Sequence, residues 1–156
     1  MKETEKIEIM HFSQEGYVED GKNVYEAGKK MIALADKVAD EGYDAIFLMG
    51  VGGTWDEFMQ LEYLMNKFGD RDLEVYLIHA AEWNVMGHKR MTEKSVVLTA
   101  SESGTTPEVL EAIGKMKEKG IRVYAMTKPE GPIGQAVGAE NCVKMASDHG
   151  NGGCEM

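Results

Sequence analysis

Four apolar runs of seven or eight residues recur along the chain, and they constrain its fold more than any other feature. They read DAIFLMG from residue 44, LEVYLIHA from 73, KSVVLTA from 94 and IRVYAMT from 121, and a shorter run, NCVKMA, begins at 141. Runs of this length and composition are typical of strands that are buried on both faces of a parallel sheet. The sequence therefore predicts five strands.

Helical patterns alternate with these runs. Apolar residues recur every three or four positions over residues 22–41, 55–68 and 109–116, which is the spacing of one helical face. Alternating strands and helices imply right-handed parallel crossovers. We expect an α/β, three-layer sandwich in which helices flank a five-stranded parallel sheet of order 2-1-3-4-5, as in flavodoxin-like folds. Residues 1–21 are polar and aperiodic and predict an N-terminal arm before one domain over residues 22–156.

Composition excludes several classes of function. The net charge of −10 argues against nucleic-acid binding, which needs a surplus of cations. No apolar run approaches the ~20 residues of a membrane span, and residues 1–12 lack the apolar core of a signal peptide, so we expect a cytoplasmic protein without a membrane partner. The pair His149 and Cys154 has no recognisable metal-ligand spacing, and we expect no metal and no cofactor.

The candidate site follows from two loops that come after the first and third runs. In the predicted sheet the strand order reverses between these two strands, and ligands bind beyond their carboxyl ends. The second loop, SESGTTPE at 101–108, places Thr106 as the N-cap of a helix, Pro107 as its first residue and Gly104 where the backbone approaches a ligand. Together with Ser101, Ser103 and Thr105, these residues predict an uncharged cradle for a phosphate or a carboxylate. The simpler interpretation is a capped helix after a polar turn.

The first loop, GVGGTW at 50–55, is glycine-rich like a dinucleotide-binding loop, but it lacks other residues of that motif. Trp55 occupies the third glycine position of the dinucleotide fingerprint, and no Gly-Lys-Ser/Thr follows for a phosphate-binding P-loop. Gly52, Gly53 and Thr54 fit better as a second, shorter cradle. His79 and His88 flank the loop after the second run, but neither shows a partner that would make it a base.

The second loop resembles the signature S-x-S-G-x-T-x-E of the sugar isomerase (SIS) domain, with Ser101, Ser103, Gly104, Thr106 and Glu108 at the matching positions. The resemblance covers about residues 40–147 and is strongest to the N-terminal SIS domain of fructoselysine-6-phosphate and glucoselysine-6-phosphate deglycases. It implies that the loop hydroxyls and nearby amides bind the phosphate of a phosphorylated sugar or sugar-amine, and that the protein is a homodimer. In those deglycases the general acid and base lie in a second SIS domain, and this chain ends near the crossover to it.

The leading hypothesis is therefore a phosphosugar-binding SIS domain, the N-terminal half of a deglycase or aldose-ketose isomerase that a second domain completes. Its catalytic residues are unassigned, and Glu82 and Glu108 are candidate contacts to the sugar. One alternative is a non-catalytic module that senses a phosphosugar. Another is a flavodoxin-like protein that binds a nucleotide or flavin.

Overall fold

A computed structural model of the protein describes residues 14–70 and 72–144. The helices are α1 (Gln14–Glu41), α2 (Gly53–Phe68), α3 (Ala80–Met86), α4 (Pro107–Glu118) and α5 (Pro132–Val137). The strands are β1 (Ile46–Gly50), β2 (Val75–His79), β3 (Val96–Ser101), β4 (Arg122–Thr127) and β5 (Cys142–Lys144). A 3-10 turn, Ala139–Asn141, precedes β5.

The five strands form one parallel sheet of order β2-β1-β3-β4-β5, which confirms the predicted topology. Strand β1 pairs with β2 on one side and with β3 on the other. Its last residue, Gly50, lies opposite His79, and Met49 lies opposite Thr99. The strand order therefore reverses at β1, and the carboxyl ends of β1 and β3 lie next to each other.

One face of the sheet packs against α3, α4 and α5. Phe47, Met49 and Val97 of the central strands are fully buried there. They contact a helical layer of buried residues: Ala80 and Trp83 of α3, Val109, Ala112, Ile113 and Met116 of α4, and Ile133 and Val137 of α5. This is the larger part of the core, and because successive strand residues point to opposite faces it uses alternate positions of each strand.

The other face of the sheet carries α1 and α2. Phe58 of α2 packs with Leu48 of β1 and Ala100 of β3, and Val38 of α1 packs with Val96 and Tyr124. The two helices thus cover different strands, since α2 lies over β1 and β2 while α1 lies over β3 and β4. The sheet is covered on both faces, as continuous apolar strands require.

Several local expectations change in the structure. Helix α1 begins at Gln14, within the segment predicted as an arm, because Gly16 and Gly21 are carried inside the helix and do not break it. Val24 and Ala35 lie in the segment 22–41, whose apolar spacing predicted one buried helical face, but both are exposed. Helix α3, which periodicity did not reveal, follows β2 directly. Residues 1–13 and 145–156, which include His149 and Cys154, lie outside the described residues, and the division at residue 21 stays a prediction.

A substitution in the buried face of α4 tests the packing of this core. Met116 is fully buried, whereas Met86 at the end of α3 is 75% exposed. We expect Met116→Ala to lower the free energy of unfolding by about 2–5 kcal/mol, because it removes buried methylenes and leaves a cavity. The matched variant Met86→Ala should change it by less than about 0.5 kcal/mol. Urea denaturation measures both, and equal losses would contradict the assigned packing of α4.

Candidate functional site

The hydroxyl-rich loop lies at the point where the strand order reverses. It begins at Ser101, the last residue of β3, and ends at Thr106, which precedes α4. Strand β3 pairs with β1 on one side and with β4 on the other, so the loop emerges between the ends of two neighbouring strands. In open α/β sheets this crevice is the usual place for a ligand.

Ser101 is the centre of the loop's hydrogen bonds. Its Oγ accepts a hydrogen bond from the backbone N–H of Gly104 at 3.1 Å and lies 2.9 Å from Oγ1 of Thr106. Its carbonyl accepts a hydrogen bond from the Thr127 hydroxyl of β4 at 2.6 Å. Ser101 is almost fully buried. Its hydroxyl therefore shapes the loop from beneath and is not the part that meets solvent.

Ser103 and Thr105 form the exposed rim of the same loop. Oγ of Ser103 accepts hydrogen bonds from the Thr105 backbone N–H at 3.2 Å and from the Thr105 hydroxyl at 3.1 Å, and it lies 3.5 Å from Oγ of Ser101. The structure thus brings all four predicted hydroxyls of this loop into one connected group. A hydroxyl can rotate its proton from a neighbour toward an incoming anion, so these bonds are exchangeable.

Gly104 adopts the backbone conformation that its predicted role requires. Its φ is +69°, and a β-carbon there would lie 3.1 Å from Oγ1 of Thr127. Its carbonyl accepts a hydrogen bond from the backbone N–H of Ile133 in α5 at 3.0 Å. The loop is therefore held against the segment after β4, where Lys128 and Gly131 lie close to Gly104. None of the site residues predicted from the sequence lies in residues 128–138, so this contact with the loop was not foreseen.

The start of α4 differs in one detail from its predicted form. Thr106 occupies the N-cap position and Pro107 the first turn, as expected, but the Thr106 side chain makes no capping hydrogen bond. Its hydroxyl is directed to Ser101 instead. The first amides of a helix need a partner from outside the helix. Because the N-cap side chain does not supply one, these amides remain suited to an anion.

The shorter predicted cradle lies at the adjacent strand end. Gly52 has a φ of +60° and precedes α2, and its carbonyl accepts a hydrogen bond from the Trp55 N–H at 2.9 Å. The Thr54 hydroxyl donates to the Val51 carbonyl at 3.1 Å and accepts from the Val51 N–H at 3.2 Å. Thr54 is thus turned onto its own loop. Gly53 is exposed beside it as the first residue of α2.

A pair of glutamates from the two loops influences the charge of the site. Glu57 of α2 is partly buried, and burial, followed by the negative charges of Glu102 and Asp56, raises its pKa above the ordinary value. Glu102 lies in the second loop between Ser101 and Ser103. The two loops therefore bring carboxylates within electrostatic range of each other. Sequence reasoning did not single out Glu57, because nothing in its local pattern shows that another loop faces it.

Glu82 and Glu108 lie on the first turns of α3 and α4. Glu82 is exposed, and Glu108 is partly buried, with its carbonyl accepting a hydrogen bond from the Asn84 side chain at 2.8 Å. Both helices begin at the carboxyl ends of strands, the edge where the two loops lie. That location is compatible with the predicted sugar contacts, although neither carboxylate is held by a hydrogen bond that fixes its direction.

His79 and His88 lie at opposite ends of the strands. His79 ends β2 and has its ring 6.5 Å from that of Trp55, so it lies at the same edge as the two loops. His88 packs against Phe47 at 5.0 Å and Tyr76 at 4.9 Å, near the starts of β1 and β2. His88 is therefore remote from the candidate site, and its contacts with two aromatic rings indicate a structural role.

Within residues 14–70 and 72–144, no three histidine, cysteine, aspartate or glutamate side chains converge as a metal site would require. In the same ranges, no helix combines the length and the apolar character that crossing a bilayer demands.

Known proteins resemble the chain in both sequence and fold. The fructosamine deglycase FrlB of Bacillus subtilis is 28% identical over 108 residues, which are 69% of this chain and 33% of that protein. The isomerizing glutamine–fructose-6-phosphate aminotransferase of Pyrococcus horikoshii is 25% identical over 138 residues, which are 87% of this chain and 23% of that protein. A solved structure assigned as a phosphosugar isomerase of Bacillus subtilis superposes with a TM-score of 0.67 at 26% identity, over 74% of this chain and 35% of its own.

The homologues and structural neighbours of this chain are SIS phosphosugar isomerases. No protein-family model matches the chain. The chain spans about a third of the length of the deglycase and about a quarter of that of the aminotransferase. The SIS resemblance therefore concerns one domain of larger proteins, and their whole-protein activities do not transfer to it directly.

Ser101 gives a test of how the loop of residues 101–106 is held. We expect Ser101→Ala to lower the free energy of unfolding by about 1–3 kcal/mol, because the buried Gly104 N–H loses its acceptor. Ser103→Ala is the matched control: its hydroxyl bonds are exposed, so the loss should be smaller than about 1 kcal/mol. Chemical denaturation compares the two, and a greater loss for Ser103→Ala would reverse the roles assigned to these serines.

His88 predicts a dependence of stability on pH. Burial, followed by the positive charges of Lys89 and Arg90, lowers the pKa of His88 below its ordinary value of 6.5. The unfolded chain then binds a proton more readily than the folded one, so the free energy of unfolding should fall as pH drops below about 6.5. NMR titration of the imidazole checks the pKa. In His88→Phe the decrease between pH 7 and 5.5 should be smaller, and an unchanged decrease would assign it to other groups.

Proposed function

We propose that this chain binds a phosphorylated sugar or sugar-amine, with its phosphate in the loop of residues 101–106. One observation supports this proposal most directly. Four side-chain hydroxyls lie within hydrogen-bond distance of one another at the point where the strand order reverses, and they belong to Ser101, Ser103, Thr105 and Thr106. A sugar phosphate presents several acceptor oxygens in a small volume. A loop with exchangeable O–H donors and backbone N–H groups is matched to such a ligand.

The electrostatics of α4 support an anion even in an acidic protein. The amino end of a helix carries a partial positive charge, and its first amides point out of the helix. Gly104 lets the backbone come close to the ligand, and its φ of +69° is one that other residues adopt only with strain. The net charge of −10 therefore belongs to the surface as a whole and is compatible with a local phosphate site.

The remaining assignments follow from position around this loop. Gly52, Gly53 and Thr54 would form the shorter wall at the end of β1, and Glu82 and Glu108 would lie near the sugar. Lys128, which follows β4 and has its Cβ close to Gly104, adds a cation to the surroundings of the loop. These roles are proposals that rest on placement at one edge of the sheet.

The fructosamine deglycase and the isomerizing aminotransferase among the relatives support a more specific proposal. We propose that the chain corresponds to the N-terminal SIS half of such a deglycase or aldose-ketose isomerase, and that turnover depends on a second SIS domain. His79 is at the site's edge, but no contact assigns it a proton-transfer role. A cytoplasmic location and a homodimeric state complete the proposal.

Calorimetric titration with fructose 6-phosphate and glucose 6-phosphate tests phosphate binding. Loss of one hydrogen bond to a charged phosphate costs about 1.5–3 kcal/mol, so Ser103→Ala and Thr106→Ala should each weaken binding by about 10- to 100-fold. Thr92→Ala is a control at the other edge of the sheet, where its hydroxyl bonds to Asp44. It should bind as the wild type does. Equal affinity of all four proteins would reject the site.

A thermal-shift panel separates the classes of ligand. A compound that binds the folded state alone raises the melting temperature by mass action. We expect hexose 6-phosphates to do so and NAD and FMN to have no effect. Stabilisation by FMN or NAD without a response to phosphosugars would favour the nucleotide or flavin alternative. Phosphosugar binding without release of an amine, even when a second SIS domain is supplied, would favour a sensor.

A further inference from the structure

Asn84 of α3 makes two hydrogen bonds to α4. Its side chain donates from Nδ2 to the Glu108 carbonyl at 2.8 Å, and its own carbonyl accepts from Nζ of Lys115 at 2.9 Å. Glu108 lies in the first turn of α4 and Lys115 in the last. These two residues are about 10 Å apart along the helix, which rises 1.5 Å per residue. Asn84 therefore holds α3 against α4 at two separate points.

The orientation of the Asn84 amide is fixed by its partner. A backbone carbonyl only accepts hydrogen bonds, so the amide nitrogen is the atom that faces Glu108. The other end of the amide is Oδ1, which is buried and has no hydrogen-bond partner among the described residues. Burial of an oxygen without a partner destabilises the folded state. A residue that served packing alone would not need this oxygen.

The bond from Asn84 is not required to satisfy Glu108 either. In an α-helix the carbonyl of each residue accepts the amide four residues later, so a carbonyl in the first turn of α4 already has a partner. Leucine has nearly the shape of asparagine and would fill the position without a buried, unpartnered oxygen. Stability alone therefore does not account for asparagine here. What asparagine adds is a fixed distance between α3 and the first turn of α4.

That first turn belongs to the candidate phosphosugar site. It follows Thr106 and carries Glu108, a proposed sugar contact. No hydrogen bond among the described residues holds the Glu108 carboxylate, so its location depends on the backbone that Asn84 contacts. Glu82, the other proposed sugar contact, precedes Asn84 in the same short helix. The bond from Asn84 thus joins the two helices that carry both glutamates.

We propose that Asn84 positions Glu108 relative to Glu82 and thereby determines how tightly the site holds the sugar part of its ligand. This inference rests on the phosphosugar function proposed above. Asn84 acts through Glu108 and does not touch the ligand, so it is a positioning residue. The hydroxyls of residues 101–106 bond to one another and to their own loop, without Asn84. Asn84 should therefore influence sugar binding and leave phosphate binding unchanged.

NMR titrations of the whole chain, with fructose 6-phosphate and with inorganic phosphate at constant ionic strength, test this separation. We expect Asn84→Leu to weaken fructose 6-phosphate about tenfold, the effect of one hydrogen bond to the sugar, and to change phosphate affinity by less than about twofold. Asn84→Ala removes the same donor and should separate the two affinities in the same way. Unchanged sugar affinity, or an equal loss for both ligands, would overturn the positioning role.

Lys115→Met is the matched control. It removes the second bond between Asn84 and α4, together with the ion pair of Lys115 with Glu111, but it lies far from the first turn. Urea denaturation should show a loss of stability for Lys115→Met, while both ligands bind as they do to the wild type. A loss of sugar affinity equal to that of Asn84→Leu would assign the effect to general loosening of the two helices and overturn the proposal.

A double-mutant cycle tests whether Asn84 acts through Glu108. In a Glu108→Ala background the carboxylate is gone, so Asn84→Leu should cause no further loss of fructose 6-phosphate affinity. Additive losses would show that the two residues act independently, and the proposal would be wrong.

The wild-type titrations show which proposal fails. A wild type that binds neither inorganic phosphate nor fructose 6-phosphate overturns the proposed function, and the role of Asn84 with it. A wild type that binds both ligands, together with an Asn84→Leu variant of equal affinity, overturns the role of Asn84 alone.

Discussion

The parallel pairing of β1 with both β2 and β3 is the constraint on which the rest of the structure depends. Since β2 follows β1 in the chain on one side and β3 lies on the other, the crossovers before and after β2 must pass on opposite faces of the sheet. Helix α2, which precedes β2, consequently covers one face, and α3, which follows β2, covers the other. The same reversal leaves the ends of β1 and β3 adjacent without a helix crossing over them. The candidate site occupies this gap.

The fold was predictable from the sequence because its strongest signals are local and repeated. Each strand is a continuous apolar run, because helices pack against both faces of the sheet. In β1, for example, Phe47 contacts the helices on one face and Leu48 contacts α2 on the other. The start of α1 was less predictable, because a glycine such as Gly21 weakens a helix by only about 1 kcal/mol relative to alanine. Neighbouring residues can outweigh that cost, so a glycine is not by itself a boundary.

Less of the site could be predicted, and the reason is again physical. Ser101, Gly104 and Thr106 were identifiable because a helix start and a tight backbone have their own residue signature. The hydrogen bond from Ile133 to the Gly104 carbonyl and the influence of Glu102 on Glu57 were not, since each joins segments that are distant in sequence. The direction of the Thr106 hydroxyl was also beyond prediction. A threonine at the N-cap can bond to its own helix or to a neighbouring side chain, and in this structure Oγ1 of Thr106 lies 2.9 Å from Oγ of Ser101.

The different roles of Ser101 and Ser103 have a consequence for the proposed phosphosugar site. Ser101 belongs to β3 and holds Gly104, so a substitution there alters the core and the loop together. Ser103 and Thr105 bond mainly to each other at the surface. In the proposed phosphosugar site, new side chains at these two positions would change the contacts to the ligand while the sheet beneath stays intact. The loop therefore separates a buried residue that holds its backbone from exposed residues that can be replaced without disturbing the core.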